Sequence, residues 1–169
     1  MTRFRVLPER SQLTIEAKSD LHPIRGKAER LEGEAEVQVT DGELDLSEAV
    51  SGRINLPVER LTSGSQLQDM EMRRRLEAGK FPVIVAELRR VTPRPQSGRF
   101  KVQTDLTFHG ITRRLESELT AKLDGDQTLA VEGDLRVDVR GFGVNPPKML
   151  GLQVHPEVRV RFNIVLQRG

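Results

Sequence analysis

Apolar and polar residues alternate along most of this chain. In the C-terminal segment Val154, Val158, Val160, Phe162, Ile164 and Leu166 share one parity, and Glu157, Arg159, Arg161 and Asn163 take the other. A period of two places each set on one face of a β-strand, so the run predicts a half-buried strand. The same signal recurs upstream. Leu129, Val131, Leu135, Val137 and Val139 oppose Glu132, Asp134, Arg136 and Asp138, while Leu115, Leu119, Ala121 and Leu123 oppose Glu116, Glu118 and Lys122. Phe100, Val102, Leu106 and Phe108 alternate with Lys101, Gln103 and Asp105. Leu13, Ile15 and Ala17, then Ala35, Val37 and Val39, then Val50, Ile54, Leu56 and Val58 complete the set.

Turn chemistry separates these runs. Asp41-Gly42, Asp124-Gly125-Asp126 and the stretch from Thr92 to Gly98 read as turns or loops. His109-Gly110-Ile111-Thr112 suits a short hairpin connection, and Gly141 to Pro147 breaks regular structure because neighbouring prolines cannot donate to a ladder. One helix is predicted over 66–77. Ser65 and Gln68 fit a capping box, Asp69 and Glu71 lie toward its start, Arg73, Arg74 and Arg75 toward its end, and Gly79 is a stop signal. Its apolar residues form two pairs, Leu67 with Met70 and Met72 with Leu76, on roughly opposite sides. One pair is expected to cover the core and the other to meet a loop or a second subunit.

About eight amphipathic antiparallel strands must hide one face each. Short meander connections favour closure into a barrel, which also removes exposed strand edges. An eight-stranded barrel is filled by its own side chains or holds one small ligand. Strand parity and helix spacing nominate Ile15, Ala17, Val37, Ile54, Leu67, Met70, Phe100, Leu106, Phe108, Leu119, Leu135, Val137, Val160 and Phe162 as the interior wall. Small inward residues at Ala17, Ala35, Gly52, Ala86, Ser117, Ala121 and Gly133 leave room for a ligand.

Composition narrows the chemistry. A chain of 169 residues reads as one domain over 1–169. It has no cysteine, which excludes disulfides, thiolate metal sites and a thiol nucleophile. Its 27 basic and 25 acidic residues nearly cancel, so Arg73-Arg74-Arg75, Arg89-Arg90 and Arg113-Arg114 read as solvated faces rather than as a surface for nucleic acid or anionic lipid, and no nucleic-acid partner is expected. No stretch is apolar enough to span a membrane, and the N-terminus carries no leader pattern, so a cytoplasmic location is expected of a full-length chain. Neither a nucleophile elbow nor a phosphate loop occurs, and His22, His155 and Glu157 lack metal-ligand spacing. The expectation is a protein without catalytic residues, metal or cofactor.

Three segments resemble one family. Leu61-Thr62-Ser63-Gly64-Ser65 with Asp69-x-Glu71-Met72-Arg73 and Phe81-Pro82, then Asp105-Leu106-Thr107-Phe108-His109-Gly110-Ile111-Thr112-Arg113, then Arg140-Gly141-Phe142-Gly143-Val144, are similar to YceI-like motifs in order and spacing. The chain differs from them in carrying Ser65 for Asn, Gln68 for Arg, Glu71 for His, and Ala86 for an aromatic residue. The resemblance implies a lipocalin-like barrel with a helix by its mouth, an apolar isoprenoid lipid as ligand, and a possible homodimer. It implies carriage or sequestration of that lipid, and the lack of any spanning stretch leaves no stable membrane insertion expected. The alternative left open by the residues is an interaction module whose barrel is packed solid.

Overall fold

The structure is a computed structural model that describes residues 1–94, 98–125, 127–146, 148–149 and 152–169. In chain order its strands are β1 (Thr2–Val6), β2 (Gln12–Ser19), β3 (Ile24–Glu29), β4 (Glu32–Thr40), β5 (Glu43–Asp45), β6 (Ser51–Pro57) and β7 (Leu61–Thr62). The helix α1 (Gln66–Arg75) follows, then β8 (Val83–Arg94), β9 (Arg99–Phe108), β10 (Ile111–Asp124), β11 (Thr128–Asp138), β12 (Lys148–Met149) and β13 (Leu152–Arg168). Antiparallel pairing runs β1–β4–β6–β8–β9–β10–β11–β13 and returns from β13 to β1, which closes an eight-stranded barrel. The expected all-β fold with one short helix is what the chain adopts.

Three walls of the barrel are bent strands. β13 pairs with β1 through Leu166–Arg168 and with β2 through Val154–Asn163, so β1 and β2 are two halves of one wall. β3 with β4, and β6 with β7, are related in the same way, because β2 pairs β3 and β3 pairs β7. Each bend has its own device. A single 3-10 turn at Pro8–Arg10 interrupts the first wall, and buried Ser11 repairs the gap: its Oγ accepts from Val165 N at 3.0 Å and donates to Val165 O at 3.3 Å. Arg30 takes φ +58° at the second bend, and a 3-10 turn at Val58–Arg60 makes the third.

The meander puts the β2–β3 turn, α1, the β9–β10 turn and the β11–β13 connection at one end of the barrel. Two apolar clusters hold the walls. One gathers Phe4, Leu31, Leu56, Leu61 and Leu166 around the bends. The other, at the α1 end, packs Phe108 against Phe142 with ring centroids 4.0 Å apart and planes 19° from parallel. Burying one such Phe contributes about 2–3 kcal/mol. Outward positions carry ion pairs such as Arg89–Asp105–Arg114 and Arg159–Asp134. Exposed pairs of this kind keep the polar face solvated and add little stability.

Several details differ from the sequence expectations. The stretch read as a loop from Thr92 is strand through Arg94, with Pro93 opposite Phe100, and residues 95–97 lie outside the described residues. Asp126 and Pro147 also lie outside them. The helix ends at Arg75, four residues before Gly79. Its stop is a Schellman motif in which Ala78 N donates to Arg73 O and Glu77 N to Arg74 O, with Glu77 at φ +49° in the position glycine usually takes. The capping box is half present. Ser65 Oγ accepts from Gln68 N at 3.4 Å, but the Ser65 amide donates to Ser63 Oγ at 3.2 Å.

Candidate functional site

The barrel encloses a cavity of about 480 Å³ that runs between the two apolar clusters. Of the residues nominated from sequence, Ile15, Ala17, Val37, Ile54, Phe100, Leu106, Phe108, Leu119, Leu135, Val137, Val160 and Phe162 line it. Most come from strand positions of one parity, as the period of two requires. Gly133, inward by register, is roofed by Phe162: a Cβ there would lie 2.2 Å from Phe162 Cζ. The ring therefore takes the space a side chain would occupy and lies along the wall.

Leu67 and Met70 do not line the cavity; they are among the most exposed large apolar side chains. Met72 and Leu76 line it instead, with Gln68 and Arg75 beside them. Polar contacts set this rotation of α1. The buried Asp69 carboxylate accepts from Ser63 N and Ser63 Oγ, both at 2.8 Å, and from Thr62 Oγ1 at 2.9 Å. Arg73 donates to Glu59 O at 3.3 Å. With that side of the helix tied to β7 and the turn before it, the side carrying Met72 and Leu76 meets the barrel. Burial pushes the Asp69 carboxyl up, but the Ser63 and Thr62 donors and the Arg73 charge outweigh it and hold it below the usual carboxylate range.

From β8 sequence reasoning named Ala86 alone and missed its large apolar neighbours. Ile84, Ala86 and Leu88 face inward, and the register shifts between Leu88 and Arg90, so Val91 returns to the cavity. A bulge of this sort hides the strand from a parity count.

Polar lining residues gather toward the α1 end: Arg25, Thr62, Ser63, Gln68, Arg75 and His155. The arginines among them are paired, and the histidine has an acidic neighbour. Arg25 pairs Glu16 at 3.1 Å, Arg75 pairs Glu71 at 2.8 Å, and His155 lies 3.6 Å from Asp20. Hydrogen bonds from Arg74 and Arg75 hold the Glu71 carboxyl down at about 2. Farther along, Glu34 and Arg53 border the cavity with their charges held outside by Arg3 and Glu87. An apolar chain can therefore enter without stripping water from an unpaired charge.

The motif-bearing β9–β10 segment serves as a clasp at this end. His109 at φ +53° and Gly110 at φ +74° make a two-residue turn with the signs of type I′. The His109 ring nitrogens lie 2.9 Å from Phe142 O and 2.5 Å from Glu77 Oε2, joining the turn to the end of α1 and to the 3-10 turn at Val139–Phe142. Thr107 and Thr112 bond across the hairpin at 2.7 Å, and Arg113 donates to Gly141 O at 3.0 Å.

Among the described residues no group of three or more His, Asp or Glu is placed to hold a metal ion. Glu157 pairs Arg136, and His22 Nδ1 lies 3.2 Å from Pro23 O. No helix among the described residues is long and apolar enough to cross a membrane.

Comparison with known proteins gives a consistent picture. BcnA from Burkholderia cenocepacia is similar with a TM-score of 0.78 at 18% identity, over 95% of this chain and 98% of that one. A polyisoprenoid binding domain from Saccharophagus degradans, implicated in plant cell wall breakdown, also gives 0.78 at 13% identity, over 100% of both chains. The YCEI protein of Campylobacter jejuni gives 0.60 at 10% identity, over 83% of this chain and 84% of that one. At such identities these likenesses establish the fold alone. No curated protein sequence matches. A model of the YceI-like domain matches residues 4–166. With nearly the whole chain matched, the protein belongs to the YceI-like family.

Proposed function

We propose that the barrel binds an apolar isoprenoid-type chain in its cavity and carries or sequesters it. The observation that carries this reading is the open interior: about 480 Å³ walled mainly by uncharged side chains. The polyisoprenoid binding domain from Saccharophagus degradans, which shares the fold, supports the choice of ligand class. The unfilled interior favours carriage over the alternative of a solid-packed interaction module. The reading involves ligand uptake alone and no catalytic step.

A chain that hides about 400 Å² of its own surface gains roughly 10 kcal/mol gross. Association and ordering take back several kcal/mol, which leaves an affinity of roughly micromolar to nanomolar. Calorimetric titration with farnesol tests the proposal. The native protein and Arg136→Ala, whose side chain points outward to Glu157, are expected to bind saturably. Leu135→Arg, which puts a charge in the cavity, is expected to lose binding. Absence of saturable binding by the native protein to farnesol or to longer prenyl alcohols contradicts the proposal.

A further inference from the structure

We propose that the mouth of the barrel docks on an anionic lipid bilayer through Leu21, Leu67 and Met70. This inference rests on the carrier reading and adds the surface from which the ligand is taken or to which it is delivered.

These three side chains are 77%, 73% and 64% exposed. All lie at the same end of the barrel. β3 runs antiparallel beside β7, α1 begins four residues after β7 ends, and the β2–β3 turn carrying Leu21 precedes β3. They therefore belong to the loops around the mouth, where Arg25, Ser63 and Gln68 border the cavity. The hydrogen bonds of Asp69 fix which way α1 faces, so Leu67 and Met70 are held outward while Met72 and Leu76 cover the cavity.

Charge selects the occupant. Arg74 follows Met70 by four residues and Leu67 by seven, which places it on the same outward face. It is exposed and shares the single Glu71 carboxylate with Arg75, so cations outnumber anions there. Arg73 and Lys80 add to the same end; of the acidic groups there, Asp69 is buried against Ser63, Glu77 is turned to His109, and the exposed Asp20 beside Leu21 lies 3.6 Å from His155 Nε2. Apolar side chains among arginines and lysine match an anionic interface, where the apolar groups enter the headgroup region and the cations meet phosphate. A second copy fits less well. The three side chains present on the order of 400 Å², about half of the roughly 800 Å² that each partner buries in a stable dimer. A repeat of the same face would also bring arginines against arginines.

Vesicle flotation tests the proposal, using phosphatidylcholine vesicles with and without phosphatidylglycerol. The native protein is expected to bind the mixed vesicles on the order of tenfold more strongly than the neutral ones. The double variant Leu67→Ser with Met70→Ser is expected to lose that binding while keeping its circular dichroism spectrum and its affinity for farnesol. Leu21→Ser is expected to weaken it. Vesicle binding that is absent in the native protein, or unchanged in the variants, overturns the proposal. A native dimer by light scattering that the double variant converts to monomer also overturns it and assigns the face to a second copy. If vesicles bind and farnesol does not, docking stands and the carrier reading fails.

Discussion

His109 and Gly110 carry the mouth clasp, and each does so by a different physical effect. Gly110 takes φ +74°, and a Cβ on it would lie 2.7 Å from the Phe81 ring. Gly110→Val therefore suffers backbone strain and a collision, and is expected to cost about 1–3 kcal/mol. His109→Ala loses contacts to Phe142 O and Glu77 and an edge-to-face contact with Phe81 at 5.5 Å. About 1–2 kcal/mol is expected for that loss. Urea unfolding of both variants measures the two costs, and equal effects near zero would show that the turn does not hold the mouth. Asp69 supplies a pH-dependent counterpart. Its carboxyl is held below the usual range in the fold, so its contribution is complete above about pH 4 and is lost as pH falls through the folded value. Asp69→Asn is expected to lower stability by about 1–3 kcal/mol at neutral pH. The gap from the native protein should close on acidification. A gap that stays constant to pH 3 would contradict this role.

At the scale of elements, legibility in the sequence depended on side-chain bulk. β9, β10, β11 and β13 alternate large apolar and charged residues, so their period shows directly. β3 faces inward with Gly26 and Ala28, too small to register as an apolar stripe, and β1 has only five residues. β8 combines a continuous apolar start, Val83 to Ala86, with a register shift near Arg90. The existence of α1 and its Ser65 cap were readable, but its rotation was not. Two apolar pairs on opposite sides satisfy the spacing rule equally, and Asp69 and Arg73 decide between them through bonds to Ser63 and Glu59 that the spacing does not reveal. For the same reason the strand-borne site residues were legible and the helix-borne ones were exchanged. The small inward residues pointed to an open interior, but its volume was not readable, because cavity volume is a small difference between barrel size and side-chain volume.

For the molecule as a whole, the bent walls and the lid-like helix enclose a cavity whose length depends on small residues along it. Ala35, Gly52 and Ala86 share one stretch of wall, since Ala35 pairs Gly52 and Ile54 pairs Ala86. Ala86→Phe inserts a ring there and shortens the usable space without adding charge. Titration with prenyl alcohols of increasing length is expected to show the long chains weakened on the order of tenfold or more and the short ones little changed. A uniform loss across lengths would mean that the chain does not pass Ala86.

On the carrier reading the native barrel houses an apolar chain. Native mass spectrometry of gently purified protein, followed by organic extraction of what it holds, tests this most directly. The native protein is expected to show an added mass that disappears on extraction and is recovered as an apolar isoprenoid-type lipid, with exchange for added prenyl alcohol. Protein that carries no added mass, and that takes up none when prenyl alcohol is supplied, would contradict it.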